Sequence, residues 1–140
     1  FASMDGEQTV TVKATRTFGN RPNGWKALNA WITRLRTPDV PLWVVMEATG
    51  VYYEGLAYFL NEQHYQVAVV LPNKMKSYLA SLNLKSKTDA LEARALSQMG
   101  LERKMKPWRG FSSTILSLKR LCREREALQQ DLVAASNRLH

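Results

Sequence analysis

Leu42-Trp43-Val44-Val45-Met46 and Val67-Ala68-Val69-Val70-Leu71 are two short, unbroken apolar runs, and between them Tyr52 to His64 carries Leu56, Phe59 and Leu60 at helical spacing. Unbroken apolar runs of this length suit strands covered on both faces of a parallel sheet. Apolar residues three and four apart suit a helix packed on that sheet. Strand, helix and strand within about thirty residues make a βαβ unit. Pro72 stops the second strand, because proline cannot donate to a sheet ladder. The predicted class is α/β.

Upstream, Thr9-Val10-Thr11-Val12-Lys13-Ala14-Thr15-Arg16-Thr17-Phe18 is rich in β-branched residues and follows Asp5-Gly6, a frequent hairpin pair. A strand pair with a truncated first member is expected, giving a mixed sheet whose antiparallel ribbon comes first. Residues 19–24 read as loop, and Trp25, Leu28, Ile32 and Leu35 as one helix face that ends at Thr37-Pro38. Beyond Pro72 the pattern predicts helices from about Lys74 to Leu82 and from about Thr88 to Met99, then a linker over Lys106-Pro107-Trp108-Arg109-Gly110. After Ser112 and Ser113, plausible N-caps, Thr114, Leu118, Leu121, Arg125, Leu128, Leu132, Ala135 and Leu139 alternate four and three apart. This is a heptad seam interrupted by Arg125. It predicts a long coiled-coil-like helix that pairs with another helix through Leu118, Leu121, Leu128, Leu132 and Leu139, or packs on its own domain. The organisation expected is a domain over 1–106, then a linker and long helix over 107–140 that acts in oligomerisation.

A chain of 140 residues with 45% hydrophobic content can bury one sizeable core. The single Cys122 excludes an internal disulfide and has no neighbouring zinc ligands. No apolar run reaches the roughly 20 residues that span a bilayer and no leader opens the chain, so a soluble, cytoplasmic protein without a membrane partner is expected. Because the chain starts at Phe1, it is expected to be processed or a piece of a longer polypeptide. Its net charge of +8 is unevenly placed: residues 74–109 hold nine basic side chains against Asp89, Glu92 and Glu102, six of the eight excess charges. Lys74, Lys76, Lys85, Lys87 and Arg94 are candidate phosphate contacts, since clustered cations are the electrostatic footprint of nucleic-acid binding. A solvated basic face without a partner is the competing reading.

Glu47 directly follows the first apolar run, at the carboxyl end of a central strand where functional groups of α/β sheets gather. Capping of the next helix is the simpler alternative. Asp89 and Glu92, three apart, share a helix face, although Thr88-Asp89 also reads as an ordinary helix start. Acids beside Lys85, Lys87 and Arg94 fit a site in which carboxylates hold divalent cations and basic side chains hold phosphates. Two such ions about 4 Å apart activate the attacking oxygen and stabilise the leaving one in phosphodiester chemistry. Three acids fall short of that cage, so a fourth is expected from elsewhere.

Met46-Glu47-Ala48-Thr49-Gly50-Val51-Tyr52, Leu56-Ala57-Tyr58-Phe59-Leu60, Val69-Val70-Leu71-Pro72 and Ser86-Lys87-Thr88-Asp89-Ala90-Leu91-Glu92-Ala93 occur in this order. Together they resemble the DEDD transposases of the bridge-RNA-guided insertion-sequence family, and the resemblance extends through Pro107-Trp108 into the long helix. It implies an RNase H-like (RuvC-type) mixed sheet flanked by helices, Mg2+ as cofactor, DNA and a structured guide RNA as partners, and strand cleavage and transfer by the parent protein. It also implies that Glu47 is the second acid of the tetrad, Asp89 the third and Glu92 the fourth. Two departures stand out. The family's fourth acid is an aspartate, so Glu92 is one methylene longer, and no Gly-Ile-Asp-like first strand occurs here, Asp5 reading as a turn residue. The family's serine-bearing domain would follow His140, so the fragment by itself is expected to be inactive. A Holliday-junction-resolvase-like nuclease and a non-catalytic DNA-binding and oligomerisation module are the alternatives.

Overall fold

A computed structural model of the chain describes residues 1–83 and 88–138, so Lys85, Lys87 and Leu139 lie outside the described residues. Its elements are β1 (Ala2–Met4), β2 (Val10–Val12), α1 (Pro22–Leu35), β3 (Trp43–Glu47), α2 (Tyr52–Glu62), β4 (Gln66–Val70), α3 (Pro72–Ser81), α4 (Asp89–Glu102) and α5 (Ser113–Arg138). The class is α/β. Contacts divide the chain into a unit over Phe1–Trp108 and a second one from Arg109 onward.

The βαβ unit is formed by β3, α2 and β4. The two strands pair in parallel with Trp43 opposite Gln66 and Glu47 opposite Val70, and the amide of Ala48 extends the ladder by donating to the carbonyl of Val70 (2.8 Å). Strand alternation splits the core between the two faces. Val44, Met46 and Val67 pack with Ala57 and Leu60 of α2, while Val45 and Val70 pack with Met75 and Tyr78 of α3 and Ala95 of α4. The sequence predicts strands covered on both faces, and β4 meets that with Val67, Ala68 and Val70 buried. β3 is only half-buried along its whole length, because among the described residues nothing pairs with its other edge.

The hairpin is shorter than the β-branched run suggests. β1 and β2 pair antiparallel over three residues each; Lys13 and Ala14 stay bonded across the pair, the Lys13 amide donating to the Phe1 carbonyl (2.9 Å) and the Phe1 ammonium to the Ala14 carbonyl (2.9 Å), while residues 15–18 form no strand. Asp5 is a turn residue: its Oδ1 accepts from the amides of Glu7 (3.0 Å) and Thr9 (2.8 Å). Among the described residues the strands form two separate two-stranded sheets rather than one mixed sheet, and α4 packs against β1, β2 and β3 alike.

Helix boundaries follow local chemistry. Pro22 and Pro72 occupy the first turns of α1 and α3, where a missing amide proton costs nothing. Leu71, expected in the strand, instead caps α3. Thr88 caps α4 by accepting from the amide of Leu91 (3.3 Å), and the helix continues three residues beyond Met99. The stretch expected as linker is partly docked: the Trp108 amide donates to the Val67 carbonyl (2.7 Å), and its ring meets Tyr58 edge-on at 4.9 Å.

Gly100 lets α4 approach the sheet, since a Cβ there would come within 2.6 Å of Val45 Cγ2. Gly100→Val is expected to overpack this contact and destabilise the domain by about 1–3 kcal/mol. Urea unfolding of the variant checks it, a lowered midpoint with an unchanged slope being the expected result.

Candidate acidic site

Glu47 is the last residue of β3, at the carboxyl end of the strand, and it is half-buried. Its place in the strand fixes its direction. Side chains alternate, so Glu47 lies on the face of Val45 and of its cross-strand partner Val70, which is the face covered by α3 and α4. The helix carrying Asp89 and Glu92 is therefore on the same side of the sheet as Glu47.

The direction of α4 sets which end its acids occupy. Ser97, Gly100 and Leu101 wall one small hollow with Pro41, Leu42 and Trp43, so the last turns of the helix lie over the start of β3. Ala95, further back, is buried with Val70 near the carboxyl ends of the strands. Glu92 precedes Ala95 by three residues and shares its stripe, and Asp89 is one turn further on. Both positions thus lie toward the end of the sheet that carries Glu47. Asp89 is exposed and Glu92 half-buried. In the first turn of α4 they also complement the positive end of the helix dipole.

Carboxylate oxygens are the donors that a hard divalent cation takes, and these acids supply that chemistry. Among the described residues, however, no three His, Cys, Asp or Glu side chains are grouped to hold a metal. By themselves the three acids do not make a metal cage.

A brace that the sequence did not reveal holds the loop after Glu47. Trp25 Nε1 donates to Asn20 Oδ1 (2.7 Å), and Asn20 Nδ2 donates to the Tyr52 carbonyl (2.8 Å). The Thr49 amide donates to the Glu47 carbonyl (3.0 Å), and Gly50 takes the left-handed conformation at φ 55°, for which glycine has no steric penalty. A second link joins α3 to α4. The buried Tyr78 donates to Glu102 Oε2 (2.8 Å) and Gln98 Nε2 to Glu102 Oε1 (2.6 Å). The bond from Gln98, then that from Tyr78, lowers the Glu102 carboxyl from its ordinary value, while burial pushes the Tyr78 hydroxyl up.

The expected basic residues occupy different places. Lys74, in the first turn of α3, is at the carboxyl end of β4 and lines a cleft along that strand. Lys76 is exposed on α3. Arg94 lines a shallow hollow with Leu82 and Gln98. In α5 no residue is buried, and Leu118, Leu121, Leu128 and Leu132 are 59%, 62%, 70% and 70% exposed.

Comparison with known proteins agrees with the order of motifs. The chain is 30% identical over 122 residues to the pilin gene-inverting protein of Moraxella bovis, a match covering 87% of this chain and 38% of that protein. The same values hold for the pilin gene-inverting protein of Moraxella lacunata. The chain thus spans well under half the length of the curated relatives it matches. A family model described as a transposase, that of the DEDD transposases of IS110-type elements, matches residues 1–140 throughout, and the chain belongs to this family.

Proposed function

We propose that the chain supplies part of the acidic, nucleic acid-cutting site of a recombinase that mobilises an insertion sequence by DNA strand cleavage and transfer. The observation that supports this reading is the course of α4: it crosses the Glu47 face of the sheet with its first turn, which holds Asp89 and Glu92, toward the Glu47 end. In this reading Glu47, Asp89 and Glu92 are ligands for Mg2+, with Glu92 in the position of the family's aspartate. Lys74, Lys76, Lys85, Lys87 and Arg94 contact phosphates of DNA or of a structured guide RNA in the cytoplasm. Among the described residues no helix is long and apolar enough to cross a membrane.

The three acids need a further carboxylate, and β1 and β3 need a strand to join them. One strand bearing an acid between β1 and β3 meets both needs and completes an RNase H-like (RuvC-type) sheet. Phe1 and Ala2 face Trp43 and Val45 across a small hollow there, and α4 already underlies both sheets. The unit from Arg109 onward acts in oligomerisation through its leucine seam.

Incubating the 140-residue chain with supercoiled, branched and element-end DNA in Mg2+ or Mn2+ is expected to give no cleavage, because losing a ligand exceeds the roughly hundredfold cost of misplacing one by 1 Å. Cleavage by this chain that Glu47→Gln abolishes would show that the three acids suffice without another ligand. The absence of a three-ligand group among the described residues favours a second reading, a DNA-binding and oligomerisation module without catalysis. Strand cleavage by the intact recombinase that is lost on changing Glu47 decides against it.

A further inference from the structure

A cleft of about 700 Å³ runs along the outer edge of β4, between that strand, α3 and the segment that follows α4. Its walls carry Lys74, Arg103, Lys104 and Lys106, and among the described residues no acidic side chain lines it. The cationic segment is held in place at both ends. The Arg103 amide donates to the Met99 carbonyl (3.0 Å), and the Trp108 amide donates to the Val67 carbonyl on the strand (2.7 Å). Arg103 is extended at φ −116° and ψ 143°. Met105 packs into the core with Val70 and Tyr78, while Lys104 and Lys106 on either side of it are exposed. In an extended segment the two ammonium-bearing positions recur at about 6.6 Å, two residues of about 3.3 Å each. That spacing is comparable to the separation of successive phosphates along a stretched strand.

We propose that this cleft holds the sugar-phosphate backbone of a single nucleic-acid strand, a contact surface separate from the acids at the other strand's end. The proposal rests on the reading that the chain acts on nucleic acid. Its polyanion is a phosphodiester chain because the cations are strung along a groove instead of converging on one point, and a cleft of about 700 Å³ takes a short stretch of one backbone. Ser77 and Ser81 donate to the carbonyls of Asn73 (3.0 Å) and Tyr78 (2.6 Å), so the hydroxyl protons are spent within α3. Recognition is left to charge, and the cleft is indifferent to base sequence. The strand enters beside Leu71 and Lys74, adjacent to Val70, the cross-strand partner of Glu47.

The test is fluorescence anisotropy with labelled single-stranded DNA, single-stranded RNA of the same sequence, and the DNA duplex, over a salt series. The variants are Lys104→Gln/Lys106→Gln, Lys74→Gln, and a charge-matched control, Arg34→Gln/Arg36→Gln, on exposed positions of α1 and its cap. Two lost phosphate contacts are expected to reduce the salt slope for either single strand by about 1.4, at about 0.7 per contact. Lys74→Gln should reduce it by about half that amount, the control should leave it unchanged, and the duplex should bind more weakly than either single strand. Thermal melting confirms that each variant is folded. An unchanged slope in the Lys104/Lys106 variant, an equal loss in the control, a loss confined to RNA, or duplex binding as tight as single-strand binding overturns the cleft. If the unaltered chain binds and only the slope prediction fails, the acidic-site reading stands. If the unaltered chain binds no nucleic acid at low salt, both fall.

Discussion

Replacing Glu47 by Gln in the intact recombinase is expected to reduce strand cleavage by more than a hundredfold while leaving the fold intact. The substitution keeps the shape of the side chain and removes its charge, so the half-buried end of β3 stays packed. What is lost is a charged oxygen donor, and a hard cation has little affinity for the amide that replaces it. Misplacing a catalytic group by about 1 Å costs on the order of a hundredfold, and removing a ligand exceeds that. The measurement is single-turnover cleavage of element-end DNA in saturating Mg2+, with thermal melting alongside. Cleavage within a few-fold of the unaltered protein would place the chemistry elsewhere and reduce Glu47 to a residue at the start of the loop before α2.

The second large effect concerns assembly. Leu118, Leu121, Leu128 and Leu132 are each more than half exposed, and burying a leucine fully contributes roughly 1.5–3 kcal/mol. Four on one helix seam amount to a strong drive to associate, and a second copy of α5 offers the matching seam. With the seam paired between copies as proposed, Leu128→Lys/Leu132→Lys is expected to yield a monomer, read by sedimentation equilibrium. Unchanged sedimentation would mean that the seam is covered within one chain.

How far the fold could be read from sequence differs between elements for physical reasons. The βαβ unit was legible because apolar runs and helical spacing are local signals, and β3, α2 and β4 lie within a residue or two of the expected bounds. The hairpin strand was overextended, since β-branched composition over 9–18 reports propensity whereas a strand needs a partner, and residues 15–18 form no strand. Covering both faces of β3 required a neighbour on its free edge, which propensity does not report. In the candidate site, Glu47 could be located by its position at the end of an apolar run. Its facing direction could not, because that depends on which face of the sheet α3 and α4 cover. The brace from Trp25 through Asn20 to Tyr52 spans over thirty positions, and Asn20 in sequence was one polar residue of a loop. Lys104 and Lys106 were visible as charge but read as part of a basic stretch that runs into a linker. The bonds from Arg103 to Met99 and from Trp108 to Val67, with Met105 in the core between them, reveal that they are fixed along β4.

The convergence of Glu47 with Asp89 and Glu92 is the claim on which the functional reading depends, and paramagnetic broadening by Mn2+ tests it on the chain itself. In amide NMR spectra recorded through a Mn2+ titration, one ion shared by these acids is expected to broaden Glu47 to Thr49 and Thr88 to Glu92 at the same concentrations. The response should be weak, requiring excess metal, and absent from both segments in Glu47→Gln. Broadening of one segment without the other, or of both in the Glu47→Gln variant, would contradict the account.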